Sequence, residues 1–358
     1  MAVGSLSPGR AVTVFDIGGT SLRSGRWRDS DGDRIGGYRE LPAPSLLRDP
    51  AADVSELRSR LVGMVCDATP REPDPVAGIS LGAALDHRSG TVYASAPMWG
   101  DWIQPFDLHR ALAERRPDVA WHIVNDVTAA VRHFASTEAC RDRERVMLVT
   151  VSSGIACRVL DRSSGRIVVD GSGLQGEIGH LPASTTLSGE RVELDCDCGE
   201  PGHVASFGSG PGIQRMAAAL RSSEPARWEE SGVARAIAAG AGFETAFKLA
   251  LDAEDGVAQE LLTAAVRPLA VVLSTALTLD PGLDRIGITG GVAAGLGEHY
   301  RCALTRLMLQ TGPYLTTGLT PGWVTDRVVI CEPDGASGLV GAGLAALSAE
   351  SGHHQGDT

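Results

Sequence analysis

Asp16 ends the β-branched and aromatic run 11–16 and is followed closely by Gly18-Gly19-Thr20. A carboxylate at a strand end can hold a divalent metal, and residues without a Cβ let backbone N–H groups come close to an anion. The spacing describes a phosphate cradle beside a metal-holding acid; standing alone it would equally describe a glycine-turned hairpin. Three further polar groups complete the set: Asn125-Asp126 after the apolar run 120–124, Gly176-Glu177-Ile178-Gly179-His180, and Thr289-Gly290-Gly291-Val292 after 286–288. Asp126, ahead of a helical pattern, suits either a helix cap or a base that takes a proton from a hydroxyl. Glu177, held between two glycines, offers several acceptor sites to a polyol.

The elements that must position these residues follow from the hydrophobic pattern. Strand, tight turn and strand are expected over 11–27, helices over 51–66, 106–115 and 127–134, and strands over 76–81 and 120–124. A second hairpin, 146–151 and 156–160 around Ser152-Ser153-Gly154, echoes the first and opens a second cycle. A glycine-rich turn segment (171–179), a polar loop and a largely helical stretch from 212 to about 279 come next. Strands over 286–289 and 328–330 and a helix over 337–349 close the pattern. The repetition is that of a duplicated α/β unit, with no period of 20 to 50 residues. The expected division is an N-terminal α/β lobe of residues 1–124 plus 335–350, a C-terminal lobe of 125–334, and a disordered tail at 351–358.

In this order the motifs resemble the ROK family of sugar kinases and sugar-responsive repressors, within the actin-like ATPase superfamily. The resemblance spans nearly the whole chain and includes 78–86 and 335–344. It implies an α/β, two-lobed actin-like ATPase (ribonuclease H-like) fold, with a mixed sheet in each lobe and ATP and acceptor in a central cleft. It also implies a homodimer. On this resemblance Asp16 acts on Mg²⁺, directly or through water, while Gly18, Gly19 and Thr20 donate to phosphate. Ser153 and Gly154 belong to the second phosphate loop, and Gly290 and Gly291 to the adenosine loop. Asp126 takes the proton of a primary hydroxyl, Asn125 holds a neighbouring ring hydroxyl, and Glu177 and His180 bind the sugar.

Departures from the family pattern carry information of their own. The second phosphate loop keeps Gly154 and a hydroxyl at Ser153 but has lost other glycines, so its backbone must avoid positive φ. Arg158, on the following strand, is expected to be a solvated edge charge. The segment Cys196-Asp197-Cys198-Gly199-Glu200-Pro201-Gly202-His203 resembles the family's structural zinc loop, with His203 replacing the last cysteine. With His180 as a fourth ligand the site would be Cys₂His₂; the alternative is a pair of reduced, unligated thiols. Ala205 and Met98 stand where sugar-phosphorylating members carry polar side chains. That loss disfavours plain glucose or N-acetylmannosamine. The arginine-rich composition, the Ser152-Ser153-Gly154 loop and the missing glutamate at Ala205 together resemble the branch that phosphorylates C7-cyclitols in antibiotic biosynthesis.

Composition excludes other classes. The chain has 358 residues, 43% hydrophobic and 21% charged, which suits a two-domain globular protein. With 32 basic against 44 acidic residues the formal charge is -12, so neither nucleic acid nor an anionic membrane is an expected partner. No apolar run is expected to span a membrane and no leader pattern opens the chain, so the expected location is cytoplasmic. Seven scattered cysteines argue against a secreted disulfide framework, and the single lysine, Lys248, excludes a Walker-type loop. The glycines of 341–346 read as close helix packing rather than a dinucleotide fingerprint. The first expectation is therefore an ATP-dependent kinase for a C7-cyclitol of valiolone or valienol type. The alternatives are a ROK glucokinase or other hexose or N-acylhexosamine kinase, and a non-catalytic sugar-binding regulator. Only about ten residues precede the phosphate strand, too few for a DNA-binding helix-turn-helix.

Overall fold

Apolar runs buried on both faces leave no polar face for water, and here they form the central strands of two sheets. The computed structural model describes residues 10–353 apart from 170, 311–319, 321 and 333; residues 354–358 of the expected tail lie outside the described residues. Two compact units emerge: Met1–Arg141 with Gly165–Gln175 and Asp334–Thr358, and Asp142–Ser164 with Gly176–Pro333. The first boundary thus falls after Arg141 rather than after 124. The helix following Asn125 stays with the first sheet because its Ala129 packs with Val124 and Ala345 in one buried cluster. Ser351 is not tail either, since it lies in the helix Gly338–His353.

The first unit contains strands β1 (Val12–Ile17), β2 (Ser21–Trp27), β3 (Gly36–Pro42), β4 (Val76–Leu81), β5 (Ala84–Asp86), β6 (Thr91–Ala94), β7 (Phe106–Asp107) and β8 (Ala120–Asn125). Its helices are α1 (Val54–Ala68), α2 (Ala96–Trp99), α3 (Leu108–Arg115), α4 (Asp126–Ser136) and the late helix Gly338–His353. The main sheet runs β3-β2-β1-β4-β8, with β1 antiparallel to β2 and parallel to β4, and β4 parallel to β8. The α1 start is set by Asp53, whose carboxylate accepts from the N–H groups of Ser55 and Glu56. β3 escaped the pattern reading because every one of its residues is exposed, so it carries no alternation.

In the second unit β9 (Arg145–Val151) pairs antiparallel with β10 (Ile155–Asp161) and parallel with Arg285–Thr289, which pairs parallel with Val328–Ile330. Hairpin followed by parallel strands is the same order as in the first sheet, as a duplicated unit requires. The expected long helical stretch is broken into separate helices, among them Gly210–Ser223, Phe243–Asp252 and Gly256–Leu279. The last is long and apolar enough to cross a membrane, contrary to the reading of the sequence. It is nevertheless a core helix, with Leu261, Leu269 and Leu273 wholly buried.

The late glycines serve packing. A Cβ on Gly341 would run into the Ala129 carbonyl of α4, and one on Gly343 into the Trp27 ring. Gly341→Val should therefore cost about 1–3 kcal/mol or more of stability through overpacking, read as a lower midpoint in urea unfolding.

Candidate active site

Parallel register decides what meets at the carboxyl edge of the first sheet. Asp16 stands opposite Ser80 and Leu81 opposite Asn125, so the turns after β1 and β4 and the start of α4 share that edge. Ser80 Oγ donates to Asp16 Oδ1 at 2.8 Å, and Arg23 brings Nη1 to 3.6 Å from Oδ2. Burial pushes the Asp16 carboxyl above the ordinary carboxylate range, while the Ser80 hydrogen bond and then the Arg23 charge pull against that shift.

The turn after β1 is built to present donors. Its carbonyls are taken from outside: Gly19 O by Ser45 Oγ, and Thr20 O by Ala43 N at 3.2 Å and Arg48 Nη1 at 3.2 Å. The Gly18 N–H is taken inside the turn by Ser21 O at 3.1 Å, so the expected donation of Gly18 to phosphate has no hydrogen left. Gly19 N–H and Thr20 N–H have no partner among the described residues. The two glycines are there for different reasons. Gly18 faces open space, leaving the backbone accessible, whereas a Cβ on Gly19 would strike the Pro97 carbonyl.

At the start of α4 the cap is Asn125, not Asp126. Asn125 Oδ1 accepts from Val127 N at 3.0 Å and Thr128 N at 3.2 Å, while Nδ2 donates to Ala83 O at 3.1 Å and Asp126 Oδ1 at 2.8 Å. Both amide hydrogens are thus engaged, which makes Asn125 a tether for Asp126 rather than the holder of a ring hydroxyl. Asp126 is exposed, and Val127 N donates to its Oδ1 at 2.9 Å. A Cβ on Gly82 would lie 3.6 Å from Asp126 Oδ2 and 3.9 Å from Gly18 Cα. The carboxylate and the glycine turn therefore both border the same point beside Gly82.

In the second unit, Thr289 stands opposite Thr150, which sets the turn 152–154 beside Gly290 and Gly291. Gly290 has φ +96°, and a Cβ there would strike the Val151 carbonyl. None of residues 152–158 adopts positive φ, as the loss of loop glycines required. A cavity of about 640 Å³ opens here, lined by Ser153, Gln214, Phe243, Phe247 and Gly291 among others. Phe243 and Phe247 stack at 5.7 Å between centroids and give the cavity an apolar aromatic lining. Sequence reading found Ser153 and Gly291 but missed the phenylalanines, whose i, i+4 spacing is equally that of a core helix.

Glu177 lies in a segment stitched to β10: Cys157 N donates to Gly176 O at 2.7 Å, and a Cβ on Gly179 would strike the Ile155 carbonyl. Burial pushes the Glu177 carboxyl up; Arg158 and then His180 pull it down. Arg158 is not a solvated edge charge, being only 2% exposed. His180 itself belongs to a second cluster, in which ligand atoms of His180, Cys196, Cys198 and His203 all lie within 4.8 Å of one another. Cys196 Sγ is 3.8 Å from His180 Nδ1 and Cys198 Sγ 3.3 Å from His203 Nδ1. Tetrahedral metal–ligand bonds of about 2.0–2.3 Å give ligand separations of about 3.3–3.8 Å, so the donor set fits a four-coordinate ion.

The ROK family model matches residues 35–306 of this chain. The chain belongs to the ROK family. It is 50% identical over 342 residues to a 2-epi-5-epi-valiolone 7-kinase of Actinoplanes sp., covering 96% of this chain and 94% of the relative. It is 30% identical over 349 residues to a C(7)-cyclitol 7-kinase of Streptomyces hygroscopicus subsp. jinggangensis, covering 94% of each. Among solved structures, a ROK hexokinase from Thermus thermophilus is similar with a TM-score of 0.68 and 22% identity, over 96% of this chain and 100% of that one. A ROK glucokinase from Streptomyces griseus, solved with glucose and AMPPNP, gives 0.66 and 18% over 95% and 100%. These likenesses show the actin-like ATPase fold that the ROK motifs implied.

Of the cysteines only Cys198 and Cys302 are exposed, and burial pushes the Cys157 thiol up to about 11. A thiol reagent at pH 8 should label Cys198 and Cys302 in native, metal-free protein and Cys302 alone once a metal fills the four-ligand cluster, read by mass spectrometry of labelled peptides.

Proposed function

We propose that this ROK protein is an ATP-dependent kinase that transfers the γ-phosphate to the primary hydroxyl of a C7-cyclitol of valiolone type. The carrying observation is the Asp126 carboxylate beside a turn with two unpartnered N–H groups, a proton acceptor and an anion cradle on one sheet edge. In the reaction the acceptor oxygen attacks the γ-phosphorus, its bond to the β-γ bridging oxygen breaks, and the hydroxyl proton passes to Asp126. Asn125 holds Asp126 in place by donating its Nδ2 hydrogen to Oδ1 at 2.8 Å. The N–H groups of Gly19 and Thr20 donate to phosphate. Asp16 would hold Mg²⁺, its oxygen donor suiting a hard cation, and bound magnesium would neutralise phosphate charge. The cavity beside Ser153 and Gly291 would take the nucleoside.

The acceptor class is supported by the valiolone 7-kinase relative and by two side chains. Met98 is wholly buried and Ala205 is buried in the short helix Val204–Gly208, so neither offers a polar atom to a hexose. The Cys₂His₂ cluster would hold a structural zinc that ties the Glu177 segment to the cysteine loop. We also assign the protein to the cytoplasm as a homodimer, on the family resemblance. A hexose or N-acylhexosamine kinase is the second reading, favoured by 32% identity to an N-acetylmannosamine kinase over 57% of this chain.

ATP consumption with cyclitols, glucose and N-acetylmannosamine separates the readings. A cyclitol phosphorylated at its primary hydroxyl is expected, and a preference for glucose overturns the acceptor assignment. Asp126→Asn should lower kcat by ~10²–10⁴-fold in a folded protein. Ser80→Ala removes the hydrogen bond that holds the Asp16 carboxyl down. More protons must then leave at higher pH before Asp16 is ionised, so the acidic limb of the kcat/KM profile should move to higher pH.

A further inference from the structure

Arg158 lies on β10 almost without solvent contact, and a buried guanidinium is costly unless an anion or acceptors compensate it. Its Nη1 donates to Cys157 O at 2.9 Å, and a Cβ on Gly176 would lie 2.8 Å from the same atom. The guanidinium is therefore packed against the residue that precedes Glu177, which explains in part why position 176 is glycine. The Glu177 carboxylate, half-buried, makes no hydrogen bond and no ion pair among the described residues. Its charged neighbours are Arg158 from β10 and His180 from its own segment, with the Cys157 thiol also near. A cation near enough to favour the carboxylate charge, yet not bonded to it, leaves the carboxylate lone pairs open to hydroxyl donors.

We propose that Arg158 is a positioning residue for acceptor recognition: packed over Gly176, it holds the Glu177 carboxylate in place to receive hydroxyl groups of the polyol. This rests on the kinase reading above. In this role Arg158 acts on the acceptor and not on the nucleotide, so the two Michaelis constants respond differently to its loss.

The test uses the full chain and measures KM for the cyclitol, KM for ATP and kcat for the parent protein, Arg158→Ala, Arg158→Lys, Glu177→Gln and the two double variants, with thermal melting to confirm folding. Arg158→Ala should raise the cyclitol KM about tenfold or more with KM for ATP within about twofold, and Arg158→Lys should recover part of the loss. In the Glu177→Gln background the Arg158 substitutions should add less than about twofold, because the carboxylate that Arg158 positions is already gone. If both Michaelis constants move together, or if the Arg158 and Glu177 effects multiply, the positioning role is overturned. Should Arg158→Ala not fold, Arg158→Lys with Glu177→Gln gives the same coupling test. A parent protein that phosphorylates no polyol would instead overturn the kinase reading itself.

Discussion

The parallel pairing of β1 with β4 and of β4 with β8 is the constraint on which the carboxyl edge of the first sheet depends. Backbone hydrogen bonds set Asp16 against Ser80 and Leu81 against Asn125, and every polar group at that edge inherits its place from this register. A one-residue slip of β1 against β4 would turn Asp16 to the other face and separate its carboxylate from the Ser80 hydroxyl. Burial of β1 and β4 makes such a shift costly, since Val12, Val14, Ala77 and Ile79 would also exchange environments. The polar groups of that edge are therefore held in place by the core.

Close backbone approach is the second recurring device. Gly19 against Pro97, Gly179 against Ile155, Gly290 against Val151 and Gly341 against Ala129 each place main chain where a side chain would collide with a carbonyl. These contacts are stiff, because displacing a backbone carbonyl means moving its strand or helix. The glycines of this chain thus do more to fix the turns than to loosen them.

Much of the fold was legible. Runs such as 76–81 and 286–289 carry β-branched residues between glycines, and both become central strands. What escaped were elements whose residues face water or each other across short turns: β3, exposed throughout, and the hairpin Thr185–Leu187 with Glu190–Val192. Among the candidate residues, Asp16, Asp126 and Glu177 stood out through the order of their motifs along the chain, since each motif alone also has a structural explanation. Roles that depend on which hydrogen is already engaged were misread: Gly18 N–H closes its own turn, and Asn125 caps α4.

The chain alone determined the duplicated α/β plan, the family, and the identity of the carboxylates, cysteines and histidines that can do chemistry, because these follow from residue type and spacing along one dimension. Tertiary structure alone decided that Arg158 is buried over Gly176, that Phe243 and Phe247 wall a cavity, and that His180 and His203 meet Cys196 and Cys198. Burial and hydrogen-bond partnership are properties of neighbours brought together by packing, and no local pattern encodes which distant segment will fill the space around a side chain.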